Sequence, residues 1–115
     1  MTAGLAIIEH MYAGVSRPLG PSGALSAIDK SAVAGPWRVT RTGLVGDEQA
    51  DPRHHGGPEK ALHHYARDHY ATWSAEIPEI SPLLDEPPAF GENISTYGLT
   101  EADVCLGDTM RLGAV

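Results

Sequence analysis

The stretch of the sequence that is richest in groups able to do chemistry runs from Gly46 to Tyr65 and reads "GDEQADPRHHGGPEKALHHY". It contains two His-His pairs, one arginine, one lysine and a Gly-Gly pair. Three interpretations compete for it: ligation of a metal ion, binding of an anion, and an ordinary surface loop. The spacing of the residues and the elements that carry them decide between the three.

A zinc site is weakly supported by this spacing. Side chains next to each other on a strand point to opposite faces, so consecutive histidines do not readily supply two ligands to one ion. The sequence has no His-Glu-x-x-His and no Cys-x-x-Cys motif. We therefore expect no dedicated metal ligand here, and His54, His63 and His64 are equally compatible with solvated or core-edge side chains.

The segment "HHGGPEK" fits an anion better than a metal. Its two glycines let the backbone approach a ligand closely and turn N–H groups towards it. Lys60 adds a point charge, and Arg53 lies just before the segment. This combination predicts a site for a phosphate or another oxyanion, although a Gly-Gly pair is also a common turn.

A second polar cluster is the segment "FGEN", which ends at Asn93. The amide of Asn93 carries donors and an acceptor that suit the edge of a heterocycle. The alternative is that Gly91 lies at a bulge and Asn93 satisfies backbone groups. Asp47 is expected to hold its loop in place and not to take part in chemistry. Cys105 lacks the electropositive, accessible setting of a reactive thiol, so we expect a buried structural cysteine.

Length and charge restrict the class of protein. A chain of 115 residues suits one domain, residues 1–115. A net charge of −7 argues against a partner such as a nucleic-acid polymer, because phosphate neutralisation needs a basic surface. No run approaches the ~20 apolar residues that a membrane span requires. With one cysteine no intrachain disulfide can form, and a cytoplasmic location is expected.

In the first half of the chain, strands are predicted on both sides of a Gly- and Pro-rich turn. Residues 5–15 predict a strand in which Ile7 and Ile8 are buried. Residues 37–43, "WRVTRTG", alternate most clearly and predict a second strand. Residues 43–59 show no periodicity and predict one long loop, of a length that is often functional.

The second half predicts one principal helix over residues 68–77, since aromatic and apolar residues recur there at spacings of three and four. Residues 60–65 fit a strand and the start of a helix equally well. Residues 89–98 predict a strand, and residues 103–115 predict a hairpin that turns at Gly107 and Asp108. Thr100 and Asp103 between them predict a capped turn.

Short strands with one helix predict a mainly β fold with a small barrel-like core. Taken in order, "AIDK", "GLVGDEQADPRHHGG", "PEKALHHY", "FGENIST" and "GLTEADVCLGD" resemble the MOSC domain, the module named after the C-terminus of molybdenum-cofactor sulfurase. The resemblance is to the stand-alone bacterial branch associated with resistance to 6-N-hydroxylaminopurine. It covers nearly the whole chain in collinear order.

The resemblance implies a β-rich, barrel-like fold that binds the molybdenum cofactor, a pterin carrying a phosphate and a dithiolene. It also implies reduction of N-hydroxylated compounds such as base analogues, with a redox donor protein as partner. The matching positions for the cofactor pocket are Lys30, Arg53, His55, Gly56, Lys60 and Asn93. This agrees with the anion interpretation of "HHGGPEK", which rests on residue chemistry alone.

One departure from the family pattern bears on activity. The molybdenum-ligating cysteine of the family lies in a Pro-Arg-x-Pro-Cys type segment beyond the hairpin, and the sequence given stops at Val115 without it. We expect a domain that is incomplete at its C-terminus, for which a non-catalytic cofactor-binding or carrier module is the alternative function. An open strand edge over residues 110–115 is expected to pair with a second copy and form a homo-oligomer.

Overall fold

The structure is a computed structural model that describes residues 6–115. Its elements are short, as the many glycines and prolines predict. The strands are β1 (Met11–Ala13), β2 (Arg17–Pro18), β3 (Leu25–Ser26), β4 (Ser31–Val33), β5 (Val39–Thr40), β6 (Gly43–Leu44), β7 (His64–Ala66) and β8 (Ile94–Thr96). The α-helices are α1 (Pro52–His55) and α2 (Asp68–Glu76), and 3-10 helices span Pro58–Lys60 and Pro78–Leu84.

The centre of the fold is a four-stranded sheet with the order β4-β1-β8-β7. Strand β1 is antiparallel to both neighbours, whereas β7 and β8 run parallel. Met11 is paired with Val33 on one side and with Ile94 on the other. Two separate hairpins, β2–β3 and β5–β6, complete the strands. These elements confirm the prediction of a mainly β protein with few short helices.

The hydrophobic core lies around β1 and is small. Met11 is only 1% exposed and packs with Ala13, Leu44 and Ile94. The predicted strand over residues 5–15 is therefore too long: only Met11–Ala13 is extended and paired, and Leu5 lies outside the described residues. The expected burial of Ile7 is wrong, since its side chain is 79% exposed.

The predicted strand over residues 37–43 is instead a tight hairpin. Strand β5 ends at Thr40, and β6 returns from Gly43, so that Thr40 faces Gly43. The Thr40 hydroxyl accepts a hydrogen bond from the Thr42 N–H at 3.3 Å and donates to the Gly43 carbonyl at 3.1 Å. Such local side-chain bonds compete with a continuous strand, which the alternation pattern does not reveal.

The long loop predicted over residues 43–59 contains β6, α1 and most of a 3-10 helix. Helix α1 starts at an N-cap, because the Asp51 carboxylate accepts a hydrogen bond from the Arg53 N–H at 3.3 Å. Of residues 60–65, for which the sequence leaves strand and helix open, Lys60 ends a 3-10 helix, and His64 and Tyr65 belong to β7, which pairs in parallel with β8. Helix α2 confirms the predicted helix and ends before Pro78.

The predicted hairpin over residues 103–115 is wrong, since the structure has no strand in that range. Its backbone groups bond locally: the Asp108 N–H donates to the Cys105 carbonyl, and the Leu112 N–H donates to the Val115 carbonyl. The open strand edge expected there is accordingly missing from the described residues, and self-association stays a prediction. Cys105 is exposed, so its expected burial is also wrong.

The predicted turn after β8 is confirmed, because the Thr100 N–H donates to the Asp103 carboxylate at 2.8 Å. Within residues 6–115, no helix combines the length and the apolar character needed to cross a bilayer.

Candidate functional site

A cavity of about 720 Å³ lies between the sheet, the α1 region and the β3–β4 connection. Its volume is in the range of sites for small molecules and cofactors, roughly 300–1,000 Å³. His55 and Lys60 lie on the same concave surface as Asn93, although about thirty residues of chain separate them. The structure thus brings residues of "HHGGPEK" and "FGEN" to one cavity, and their contact with a cofactor stays a prediction. The polar residues on the wall include Lys30, Asp47, His55, Lys60, His63 and Asn93.

The mouth of the cavity carries the exposed cationic groups. Helix α1 ends at His55, and the 3-10 helix that follows ends at Lys60, so two short helices place both side chains on one rim. Lys60 is exposed and donates one hydrogen bond to the His54 carbonyl oxygen. Because an ammonium group has three donors, Lys60 can reach a ligand while it stays anchored.

Arg53 and Gly56, which the family resemblance also implies, do not belong to the lining residues found in the described part of the chain. The Arg53 side chain is 85% exposed, and its Nε lies 3.5 Å from an Asp51 carboxylate oxygen. The neighbouring Gly57 has a φ of 87°, which only glycine adopts without strain and which turns the chain between the two short helices.

The inner wall is built around the carboxylate of Asp47. It accepts hydrogen bonds from the Gly14 N–H at 3.0 Å, from Lys30 Nζ at 2.7 Å and from Asn93 Nδ2 at 2.9 Å. The side chains of Asp47 and Lys30 are 3% and 8% exposed. The prediction that Asp47 holds its loop is confirmed.

Asn93 is held on every side by the protein. Its Oδ1 accepts from the His63 N–H at 3.0 Å, and its Nδ2 donates to the Tyr12 carbonyl and to Asp47, each at 2.9 Å. Both amide N–H donors are thus used, as the structural interpretation of this residue expects. A direct contact from Asn93 to a cofactor stays a prediction.

The rest of the cavity wall is mixed. Leu25, Ile28, Leu62, Phe90 and Gly91 form its apolar part, and the further polar lining residues are Ser26, Glu48, Gln49, Asp51 and Glu59. Gly91 has a φ of 72°, and a Cβ added there would lie 2.6 Å from Ile28 Cγ1. This close approach fixes Ile28 against the "FGEN" turn. The cavity thus combines apolar side chains with polar groups, a combination that is common in sites for small molecules.

Glu92 is a residue that the sequence interpretation missed. It is completely buried. Its carboxylate accepts hydrogen bonds from the Tyr70 hydroxyl at 2.5 Å and from the Phe90 N–H at 2.8 Å. Burial, followed by this bond to Glu92, raises the pKa of the Tyr70 hydroxyl from its usual 10.0, so the hydroxyl remains a donor at neutral pH. Glu92 thereby ties α2 to the turn that carries Gly91 and Asn93.

A second, shallower cleft of about 350 Å³ lies along α2. Tyr65 and Trp73 line it, and the Trp73 Nε1 donates to the Tyr65 hydroxyl at 2.7 Å. His69 on the same cleft lies 2.6 Å from a Glu101 carboxylate oxygen. Tyr65 also contacts Phe90 at a centroid distance of 4.6 Å, so this cleft shares an aromatic wall with the main cavity.

The histidines are spread over the structure and do not converge. Within residues 6–115 no three His, Cys, Asp or Glu side chains are arranged to hold a metal ion. His54 pairs with Asp51 at 2.8 Å, and His64 bonds to the Thr96 hydroxyl at 2.6 Å. His54 therefore lies at an exposed position of α1, and His64 at a partly buried position of β7.

His64 makes stability depend on pH. Burial, followed by the nearby His63, lowers the pKa of His64 below its usual 6.5, while Glu101 opposes the shift. The unfolded chain therefore binds a proton on His64 at a higher pH than the folded chain, and stability is lost as pH falls below about 6.5. We expect His64→Gln to lose less stability than the wild type between pH 7.5 and pH 5, measured by urea unfolding. The control His10→Gln, at an exposed site, should retain the wild-type loss.

Comparison of the sequence with known proteins shows which protein family it matches. A family model described as the MOSC domain matches residues 51–115. Protein YiiM of Escherichia coli (strain K12) is 53% identical over 93 residues, which cover 81% of this chain and 41% of YiiM. A protein named Reductase from Gibberella moniliformis (strain M3125 / FGSC 7600) is 44% identical over 88 residues, covering 76% of this chain and 15% of that protein.

A solved structure agrees with these sequence matches. The crystal structure of YiiM from Escherichia coli superposes with a TM-score of 0.68 at 36% identity, covering 96% of this chain and 43% of that chain. The chain thus spans less than half the length of each of these relatives.

Proposed function

The chain belongs to the MOSC domain family, and from this premise we propose that its cavity binds the pterin and phosphate of the molybdenum cofactor. The observation that supports this most is the convergence of Lys30, His55, Lys60 and Asn93 on one cavity. Similarity to YiiM and to a protein named Reductase adds a general link to reductase-type proteins. The activity of a whole protein of this kind is part of the proposal, since the chain spans only 41% of YiiM.

The donor set on the cavity fits most of this cofactor. Lys60 and His55 at the mouth suit the phosphate, because an exposed ammonium group and an imidazole both donate to oxyanions. The apolar surface of Ile28 and Leu62 suits one face of the pterin ring. The missing part is a sulfur ligand for the metal: Cys105, the single cysteine of the sequence, is exposed and does not line the cavity. The described residues therefore fit the pterin and phosphate, and they supply no thiolate.

When bound, the cofactor supplies the two-electron chemistry of reduction. In the proposed parent activity, an N-hydroxylated compound such as a base analogue takes up two electrons and two protons and yields the amine and water. The electrons come from a redox donor protein, and the cytoplasm is the proposed location. The residues of this chain would bind and orient the cofactor: Lys60 and His55 would hold the phosphate, and the side chains of Ile28 and Leu62 would lie against the ring.

A second candidate function is a non-catalytic cofactor-binding or carrier module. The exposed position of Cys105, away from the cavity, favours it for this chain taken alone. The two candidates differ in one measurement. Cofactor released from a molybdoenzyme is offered to the chain without oxygen, and retained pterin is measured by fluorescence and molybdenum by elemental analysis. Both candidates require retention, whereas only the first also requires turnover of a hydroxylamine-type substrate when electrons are supplied.

Lys60→Ala is expected to weaken cofactor binding about tenfold or more, because a hydrogen bond to a charged group contributes about 1.5–3 kcal/mol. The fold should change little, since substitution of an exposed loop lysine alters stability by no more than ~0.5 kcal/mol. Binding is measured by pterin fluorescence, and stability by thermal unfolding.

Arg38→Ala is the matched control for Lys60→Ala, because it removes the same charge from an exposed side chain outside the cavity wall. It should leave affinity within about twofold of the wild type, which is the level of a long-range, screened charge effect. Equal losses in the two variants, or unchanged affinity with a sharp fall in melting temperature for Lys60→Ala, would contradict a direct contact.

A further inference from the structure

We propose that Asp47 is a positioning residue, which holds the Lys30 ammonium group so that its remaining donors face an oxyanion of the ligand in the cavity. This inference rests on the proposed function, because it concerns the inner wall of the same cavity. Asp47 itself makes no contact with the ligand in this arrangement. It acts through Lys30.

The first step is the geometry of the carboxylate. Asp47 receives three donors from three separate parts of the chain: the Gly14 N–H and Lys30 Nζ on Oδ1, and Asn93 Nδ2 on Oδ2. An ionised carboxylate is an acceptor with about four lone-pair sites, so three donors nearly fill it. A group held in this way at 3% exposure has one orientation.

The second step is the ammonium group itself. The Lys30 side chain is 8% exposed, and Asp47 is the one hydrogen-bond acceptor found for its Nζ within residues 6–115. An ammonium group carries three donors, so two remain for other partners. Because Lys30 lines the cavity, an oxygen of a bound ligand is the partner within reach of those donors. Because buried donors without a partner cost free energy, the remaining donors of Lys30 favour a ligand oxygen at this position.

The third step is the backbone that brings these groups together. Gly14 approaches the Lys30 segment so closely that an added Cβ would lie 2.8 Å from the Asp29 carbonyl oxygen and 3.0 Å from Lys30 Cγ. The end of β1 and the start of β4 are thus packed directly against each other. Asp47 bonds to both, so its removal frees Lys30 from its only anchor among the described residues.

The sign of one binding experiment separates positioning from a simple charge effect. The probe is inorganic pyrophosphate, titrated into the cofactor-free chain and followed by NMR or calorimetry at low temperature. If Asp47 acted only as a negative charge on the cavity wall, Asp47→Asn would strengthen anion binding. If Asp47 positions Lys30, the same variant weakens binding, and we expect a loss of about tenfold.

Glu48→Gln is the matched control, since Glu48 lines the same cavity one residue away and loses the same charge. It should leave pyrophosphate affinity unchanged or slightly higher. Lys30→Gln should lose as much as Asp47→Asn, and the double variant should lose no more than either single variant, because one interaction has been removed twice. Lys60→Ala should add its own loss to that of Asp47→Asn. Equal effects of Asp47→Asn and Glu48→Gln overturn the proposal, as do additive losses at Asp47 and Lys30.

A measurement on the wild type tests the anchor without any variant or ligand. Lys30 and Lys60 are the only lysines in the sequence, so ¹H–¹⁵N spectra contain two lysine ammonium signals. The Lys30 ammonium protons should exchange with water at least about tenfold more slowly than those of Lys60, because a charge-assisted bond shields them. Similar exchange rates for both lysines overturn the proposal even if the variants do not fold. Slow exchange at Lys30 together with no binding of pyrophosphate or cofactor places the failure in the proposed function instead.

Discussion

Replacing Glu92 by alanine should lower the free energy of unfolding by on the order of 3 kcal/mol, because it leaves the buried Tyr70 hydroxyl and the partly buried Phe90 N–H without their acceptor. The carboxylate is fully buried and accepts bonds from the Tyr70 hydroxyl and the Phe90 N–H. Losing them removes the hydrogen bonds through which Glu92 joins α2 to the "FGEN" turn. Urea unfolding followed by circular dichroism measures the change.

The control for this variant is Glu79→Ala, which removes an exposed glutamate near the end of α2. It should change the free energy of unfolding by no more than about 0.5 kcal/mol. Glu92→Gln should fall between the two, since glutamine keeps one acceptor but places an amide donor towards another donor. If Glu92→Ala were as stable as Glu79→Ala, the buried carboxylate would not be what joins helix and turn.

The sequence shows which segments carry groups able to bind a ligand, but not which residues of those segments hold the fold together. "FGEN" is recognisable as a polar cluster, and its position on the cavity is predicted correctly. The burial of Glu92 is not predictable from its type, because glutamate is rarely found fully buried. Its partner Tyr70 is 22 residues away in the chain, and only the folded structure brings the two together. The amide of Asn93 predicts a contact with the edge of a heterocycle, yet the structure uses this amide for three contacts within the protein.

Local sequence patterns predict a helix well, because its hydrogen bonds lie within one segment. They predict a strand less well, because a strand depends on pairing with another segment. Helix α2 is predicted by aromatic and apolar residues at spacings of three and four and by Pro78, which follows the segment directly. Both signals are local in the sequence. The alternation of residues 37–43 predicts a strand, yet the chain turns after Thr40 because threonine side chains bond to the turn. The tail after Val104 has alternating apolar residues and no strand in the structure. A β-strand forms only when it pairs with another strand, and an alternating pattern of apolar residues does not show which segment that other strand is.

Gly43→Ala should destabilise the protein by about 3 kcal/mol or more, adding the cost of overpacking to the cost of a left-handed backbone. Gly43 is buried at the start of β6 with a φ of 136°. A Cβ added there would lie 2.7 Å from the carbonyl oxygen of Ala61. The Ala61 carbonyl oxygen belongs to the backbone, so it cannot move aside by itself as the end of a flexible side chain can. Relief of this contact therefore shifts Ala61 and, with it, the adjacent Lys60 on the cavity rim.

The chain offers a matched control at Gly46, which has a φ of 94° and open space where a Cβ would lie. Gly46→Ala carries the backbone strain without the contact, and should cost about 1–2 kcal/mol. The difference between the two variants in urea unfolding therefore measures the steric contact between the β5–β6 hairpin and Ala61. Gly43→Ala should also weaken pyrophosphate binding, because its strain reaches Lys60. If both variants cost the same and bind alike, the hairpin does not support the cavity, and the rim is held by α1 and its own 3-10 helix.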